Sequence, residues 1–136
     1  MDIFARFATD PNKEAEGTIM PLDDKTSLRV RRFANDDYLA LNRTLRERHK
    51  VVLEGTDATA AEKAGKDILI EAMANCVLVG WEGVDFKDAP LPYSVDNAKM
   101  LLKLNDFRNF VFQASNNIEN YRYEKLETTE KNSSAG

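Results

Sequence analysis

The chain has 136 residues, 43% hydrophobic and 31% charged, with a net charge of -4. That is enough for one core and too little for two, and the acidic balance speaks against a dedicated polyanion binder. No apolar run approaches the roughly 20 residues of a membrane span, the N-terminal Met-Asp-Ile-Phe-Ala-Arg lacks the basic-then-apolar order of a secretory signal, and the single cysteine, Cys76, forms no internal disulfide and fits a reducing cytoplasm.

Residues 3–7, Ile-Phe-Ala-Arg-Phe, read as a short strand, followed by turn chemistry at residues 9–13, where Asp10 and Asn12 bond their own backbone and Pro11 presets a dihedral. In residues 26–33, Leu28, Val30 and Arg32 alternate with Ser27, Arg29 and Arg31, the period-two pattern of a half-buried strand. With residues 16–22 it predicts a hairpin, and Pro21 implies an edge position. Asn35 caps the first helix, with Asp36 and Asp37 at the positive end of its dipole. Tyr38, Leu41, Leu45 and Val52 share its apolar face, and Gly55 ends it.

Thr56 or Asp57 opens a second helix whose stripe runs Ala60, Ala61, Ala64, Ile68, Ala72, Cys76 and Val79, with Leu69, Met73 and Val77 beside it. So wide an apolar arc predicts the central helix. Next comes a connector, residues 77–93, holding the only tryptophan, Trp81. Gly80 and Gly83 read as a helix stop and a tight turn, while Pro90 and Pro92 prevent regular pairing up to Ser94. Ser94 caps a short helix, 95–103, that buries Ala98, Leu101 and Leu102. Asn105 or Asp106 then caps a last helix with Phe107, Phe110, Val111, Ala114, Ile118 and Tyr121 on one stripe. Phe112 lies off that stripe and is the aromatic placed to face a partner.

The expected fold is therefore α+β and mainly α-helical: an N-terminal β-hairpin (about residues 1–33), then a four-helix body with a Gly/Trp/Pro connector. Residues 1–127 form a single domain, and 128–136, with no large apolar residue, form a disordered tail.

Catalytic constellations fail one by one. His49, the only histidine, sits between Arg48 and Lys50, which disfavour its protonated form, so a solvated helix position explains it. Cys76 belongs to an apolar helix face, where thiols pack rather than react. One His and one Cys assemble no His/Cys-rich zinc site, and neither phosphate-loop nor dinucleotide glycine motif occurs. No cofactor or metal is expected. Asp36 and Asp37 are explained by capping, Glu82 and Asp85 by a polar turn. The better lead is basic: Arg29, Arg31, Arg32, Arg43, Arg46, Arg48 and Lys50 concentrate positive charge in residues 29–50. A solvated surface, an acidic protein partner, nucleic acid or self-association would each use it. Asp36, Asp37 and Glu47 interrupt the patch, and no aromatic-plus-glycine signature of a nucleic-acid module accompanies it, so protein contact is favoured.

Five blocks of sequence carry a resemblance: Leu28-Arg-Val-Arg-Arg-Phe-Ala-Asn-Asp-Asp-Tyr38, Leu78-Val-Gly-Trp-Glu-Gly-Val84, Pro90-Leu-Pro-Tyr-Ser-Val-Asp-Asn-Ala98, Phe107-Arg-Asn-Phe-Val111 and Asn117-Ile-Glu-Asn-Tyr121. In this order, over about residues 26–124, the chain resembles the tail assembly chaperones of long-tailed bacteriophages. It departs from their pattern at residues 85–89, Asp-Phe-Lys-Asp-Ala, which lack the usual turn glycine, and in residues 1–25. The resemblance implies a protein that is no enzyme. It binds and solubilises the tape measure protein, recruits tail tube subunits, associates with itself, works in the host bacterial cytoplasm and is absent from the mature virion. Trp81, Phe86, Phe112 and Tyr123, with Arg31 and Arg32 of the basic patch, are the expected partner contacts. The alternatives are a structural tail or connector component of the virion and a small nucleic-acid-binding regulator.

Overall fold

The computed structural model describes residues 1–123; the expected tail at 128–136 lies outside them. The hairpin is present. Strand β1, Thr18–Pro21, pairs antiparallel with β2, Ser27–Val30. Alternation sends Leu28 and Val30 into the core at 1% and 0% exposure and leaves Arg29 outside. Pro21, with no amide to donate, lies on an edge strand. Asp23 closes the turn by accepting from the amides of Lys25 and Thr26 at 2.8 and 2.7 Å, bonds that hold its carboxyl below the ordinary range.

Residues N-terminal to the hairpin differ from expectation. Ile3–Phe7 is a helical turn, α1, and not a strand. Asp2 caps it by accepting from the Ala5 amide at 3.1 Å, a local bond that outcompetes strand geometry for a segment with no neighbour to pair with. Residues 9–13 lead straight into α2, Pro11–Glu16, where Asp10 caps and Pro11 occupies the first helical position.

Helix α3, Asp36–Arg48, starts where Asn35 predicts. The Asn35 side chain accepts from the Tyr38 amide at 2.9 Å and donates to the carbonyls of Arg32 and Cys76 at 2.8 Å each. It thereby joins the hairpin exit, the start of α3 and the end of the central helix. The first helix does not run unbroken to Gly55: His49 leaves helical geometry and a short turn, α4, Lys50–Leu53, follows. That break moves Val52 off the buried face, and Leu53 packs on the core instead.

Helix α5, Ala58–Cys76, is central as expected. Ile68, Ile70, Ala72, Met73, Ala74 and Cys76 are buried, and α3 and α4 pack against it. It stops four residues before Gly80. Leu78–Glu82 is a strand, β3, antiparallel to β2 with Trp81 opposite Leu28 and Gly80 opposite Arg29. A register shift beside Arg29 and Val30 leaves Val79 as the extra residue of a bulge. A short apolar run fits either period; the open edge of β2 decides for the strand. Gly83, at φ +70°, makes the tight turn read from the sequence, and a Cβ there would meet the Lys25 carbonyl. Pro90 does not exclude pairing: strands β4, Asp85–Phe86, and β5, Ala89–Pro90, form a small hairpin. Lys87 and Asp88, at φ 49° and 67°, supply the turn without glycine.

Helix α6, Val95–Leu102, is capped by Ser94, packs on α5, and buries Ala98, Leu101 and Leu102 as expected. Helix α7, Asn105–Asn116, starts after Leu104 with no side-chain cap, so neither Asn105 nor Asp106 caps it. It also ends short of the predicted stripe. Asn117 caps a 3-10 turn, Ile118–Tyr121, that returns the chain to the sheet. Tyr121 is buried all the same, donating its hydroxyl to the Val30 carbonyl at 3.0 Å. Phe110, placed by the stripe in the core, is 44% exposed.

Candidate partner-binding surface

His49 is half-buried at the α3–α4 break, and Cys76 is buried with its thiol pKa raised, chiefly by burial. Among the described residues no group of three His, Cys, Asp or Glu side chains is placed to hold a metal ion, and no helix is long and apolar enough to cross a membrane. The basic segment is largely spent on internal contacts at one end. Arg29 donates to the carbonyls of Gly17 and Glu16, Arg31 pairs with Asp37 at 2.8 Å, and Arg32 lies 3.8 Å from Glu14. At the other end Arg43, Arg46 and Lys50 line a cleft of about 630 Å³ that they share with Glu47 and Glu54.

The expected contact residues fall in separate places. Trp81 is half-buried: its ring nitrogen donates to the Leu91 carbonyl at 2.8 Å, and Tyr93 meets its ring edge-on at 5.0 Å. Tyr93 in turn donates to the Leu78 carbonyl at 3.0 Å, so the connector is pinned across the strand it follows. Phe86, also half-buried, lies on the β4–β5 hairpin with the Lys87 ammonium 5.3 Å from its ring centre.

Phe112 is linked to the Arg31 and Arg32 cleft through Phe33. Phe112 is 39% exposed and meets Phe33 edge-on at 4.8 Å. Phe33 also meets Tyr38, ring centres 4.6 Å apart and tilted by 48°, and with Arg31, Arg32, Glu14, Asn35 and Asp36 lines an open cleft of about 620 Å³. Both guanidiniums lean inward, at 16% and 24% side-chain exposure, and Arg32 covers the Tyr121 ring at 5.2 Å. They rim this cleft, and among the described residues Arg31 Nε and Arg32 Nη1 are buried with no hydrogen-bond partner. Tyr123 is 55% exposed beyond Arg122, whose guanidinium donates to the carbonyls of Ala5 and Arg6 and clasps α1.

The most exposed apolar surface was not read from the sequence. Helix α1 buries none of its residues; Met1, Ile3, Phe4 and Phe7 are 90%, 61%, 75% and 58% exposed. Between β1, α7 and the 3-10 turn runs a groove of about 370 Å³ lined by Ile19, Pro21 and Phe110 together with Gln113, Asn117 and Asn120. Reading residues 3–7 as a strand and Phe110 as core hid both, because periodicity marks an apolar face without saying what covers it. The described surface offers apolar patches and a cleft rimmed by cations.

A protein-family model described as YdaY prophage protein matches residues 33–132. No curated protein and no solved structure matches the chain. The family match begins where the hairpin ends and takes in α3 to α7 and the connector, nearly three quarters of the sequence: the chain belongs to the YdaY prophage protein family.

Proposed function

We propose that this chain is a phage tail assembly chaperone that binds the tape measure protein, keeps it soluble and brings tail tube subunits to it during tail morphogenesis. It makes and breaks no bonds, acts in the host cytoplasm and leaves before the virion is complete. The phage origin of the family and the resemblance of the five sequence blocks support this reading. The structural observation that carries it is the surplus of exposed apolar side chains, among them Phe4, Phe7, Leu104, Phe110 and Phe112, on a chain with a closed core of its own. A tape measure protein is a long helix with apolar faces, which such patches can cover as a groove covers a helix. Many weak copies along one long client add avidity.

Tagged chain co-expressed with the tape measure protein of the same prophage tests this directly. Co-purification is the expected result; a tape measure protein that never co-purifies with the soluble chain overturns the reading. Purified particles separate the virion alternative, because a chaperone is absent from them and a tail or connector component is present in fixed proportion.

A further inference from the structure

We infer that the cleft shared by α3 and α4 takes an acidic helical segment of a partner protein, its carboxylates set against Arg43, Arg46 and Lys50 and an apolar side chain against Leu39. The cleft, of about 630 Å³, is lined along α3 by Leu39, Arg43 and Arg46 and, past the break at His49, by Lys50 and Leu53 of α4. Leu39 is 44% exposed, and the three cations are exposed as well. Helical spacing of three and then four residues spreads such a row of cations over roughly 10 Å, and a partner helix with carboxylates at the same intervals matches it.

Charge selects the occupant. Glu47 stands four residues after Arg43 and Glu54 four after Lys50, the spacing of helical ion pairs. Neither pair forms. Among the described residues the ion pairs lie elsewhere, at Arg31–Asp37, Arg32–Glu14, Lys63–Asp67 and Arg122–Glu119. Like charges three and four residues apart repel, and an acidic partner relieves that repulsion. The negative end of the α3 dipole favours the basic residues of its last turn, Arg46 and Arg48. It does not account for Arg43 and Lys50 joining Arg46 on one cleft while Arg48 lies outside the lining. Two features favour a protein over a polyphosphate. Glu47 and Glu54 among the cations repel a phosphate backbone, whereas a helix can set a lysine or an apolar residue beside them. Leu39 adds apolar surface that a phosphate backbone does not use. The apolar part is small, so the contact is weak, governed by charge and screened by salt. It involves neither α1 nor α7, so it goes beyond the client reading and does not depend on it.

The test uses the whole chain and two fluorescently labelled peptides of about 15 residues, long enough to form a helix. One carries Glu at intervals of three and four residues around a leucine; the other is identical with Lys for each Glu. By fluorescence anisotropy the wild-type chain should bind the acidic peptide at low salt, and about tenfold more weakly at physiological ionic strength. It should prefer the acidic peptide to the basic one by about tenfold or more. Arg43→Glu combined with Arg46→Glu should reverse that preference, and Lys50→Glu alone should weaken the acidic complex. These positions are exposed, so folding should survive, and circular dichroism checks it. A wild-type chain that ignores the acidic peptide, or binds both peptides equally, overturns the inference. So does a folded Arg43→Glu, Arg46→Glu variant that keeps the wild-type preference. A DNA duplex or phosphatidylglycerol vesicles bound more tightly than the acidic peptide at the same salt would also overturn it. The same holds for self-association that Arg46→Glu abolishes, which makes a second copy the occupant. No tape measure protein is present, so failure here and failure of the client reading are separate results.

Discussion

Tyr121 carries more of the fold than its place near the end of the described chain would indicate. Its hydroxyl reaches across 91 positions to Val30, its carbonyl accepts from the Asp10 amide, and Arg32 covers its ring. Replacing it by Phe removes the hydroxyl bond to the buried Val30 carbonyl and should cost about 1 kcal/mol in urea unfolding. Burial pushes the phenol well above its ordinary value of 10.0, so the folded chain holds this proton more tightly than the unfolded one. Below pH 10 both states keep it and the contribution is complete. Above pH 10 the unfolded chain releases it first, and stability falls as pH rises. Tyr121→Phe should flatten that alkaline decline in part, since Tyr38 and Tyr93 are raised by burial too; an unchanged slope would contradict the assignment. The connector glycines give a second contrast. Gly83→Ala puts a methyl group against the Lys25 carbonyl at a left-handed φ and should cost upwards of about 2 kcal/mol. Gly80→Ala meets only Arg29 Cβ at 3.5 Å, an ordinary contact, and should change stability by less than about 1 kcal/mol.

Among the elements, the start of α3 and the β4–β5 hairpin are opposite cases. Asn35→Ala removes a helix cap and two donors to carbonyls at once and should cost roughly 2–3 kcal/mol by thermal or chemical unfolding. At the hairpin tip, replacing Lys87 and Asp88 by Asn and Gly suits the positive φ angles better and should stabilise the chain by about 0.5–1 kcal/mol. Elements fixed by their own chemistry were legible: the hairpin from alternation, α3 from Asn35, α6 from Ser94, α5 from its wide apolar arc. Those fixed by a distant neighbour were not. Leu78–Glu82 becomes a strand because β2 has an edge to fill, α7 stops at Asn116 so that Tyr121 can reach Val30, and α1 is a helix because nothing pairs with it. The candidate surface divides the same way. Phe112 off its stripe was visible as an exposed aromatic, whereas the bare apolar face of α1 and the Phe110 groove depend on which faces the rest of the fold leaves uncovered.

At the scale of the molecule, a single core gathered on α5 and β2 is complete without the outward apolar side chains of α1, α4 and α7. Keeping Met1, Ile3, Phe4, Phe7, Val51 and Phe110 in water is unfavourable for a chain that works alone, and exposed apolar patches mark interaction sites. The basic cleft of Arg43, Arg46 and Lys50 carries Glu47 and Glu54 among its cations, so duplex binding should be weak; an affinity that falls steeply with salt would favour the nucleic-acid regulator instead. If the spare surface serves a longer helical client, the quantity to measure is the fraction of the prophage's own tape measure protein that stays in the supernatant when made with and without this chain. The client should be largely soluble with the chain present, insoluble without it, and intermediate when Phe110 and Phe112 are both replaced by Asp. A client equally insoluble in the presence and absence of the folded chain would contradict this reading.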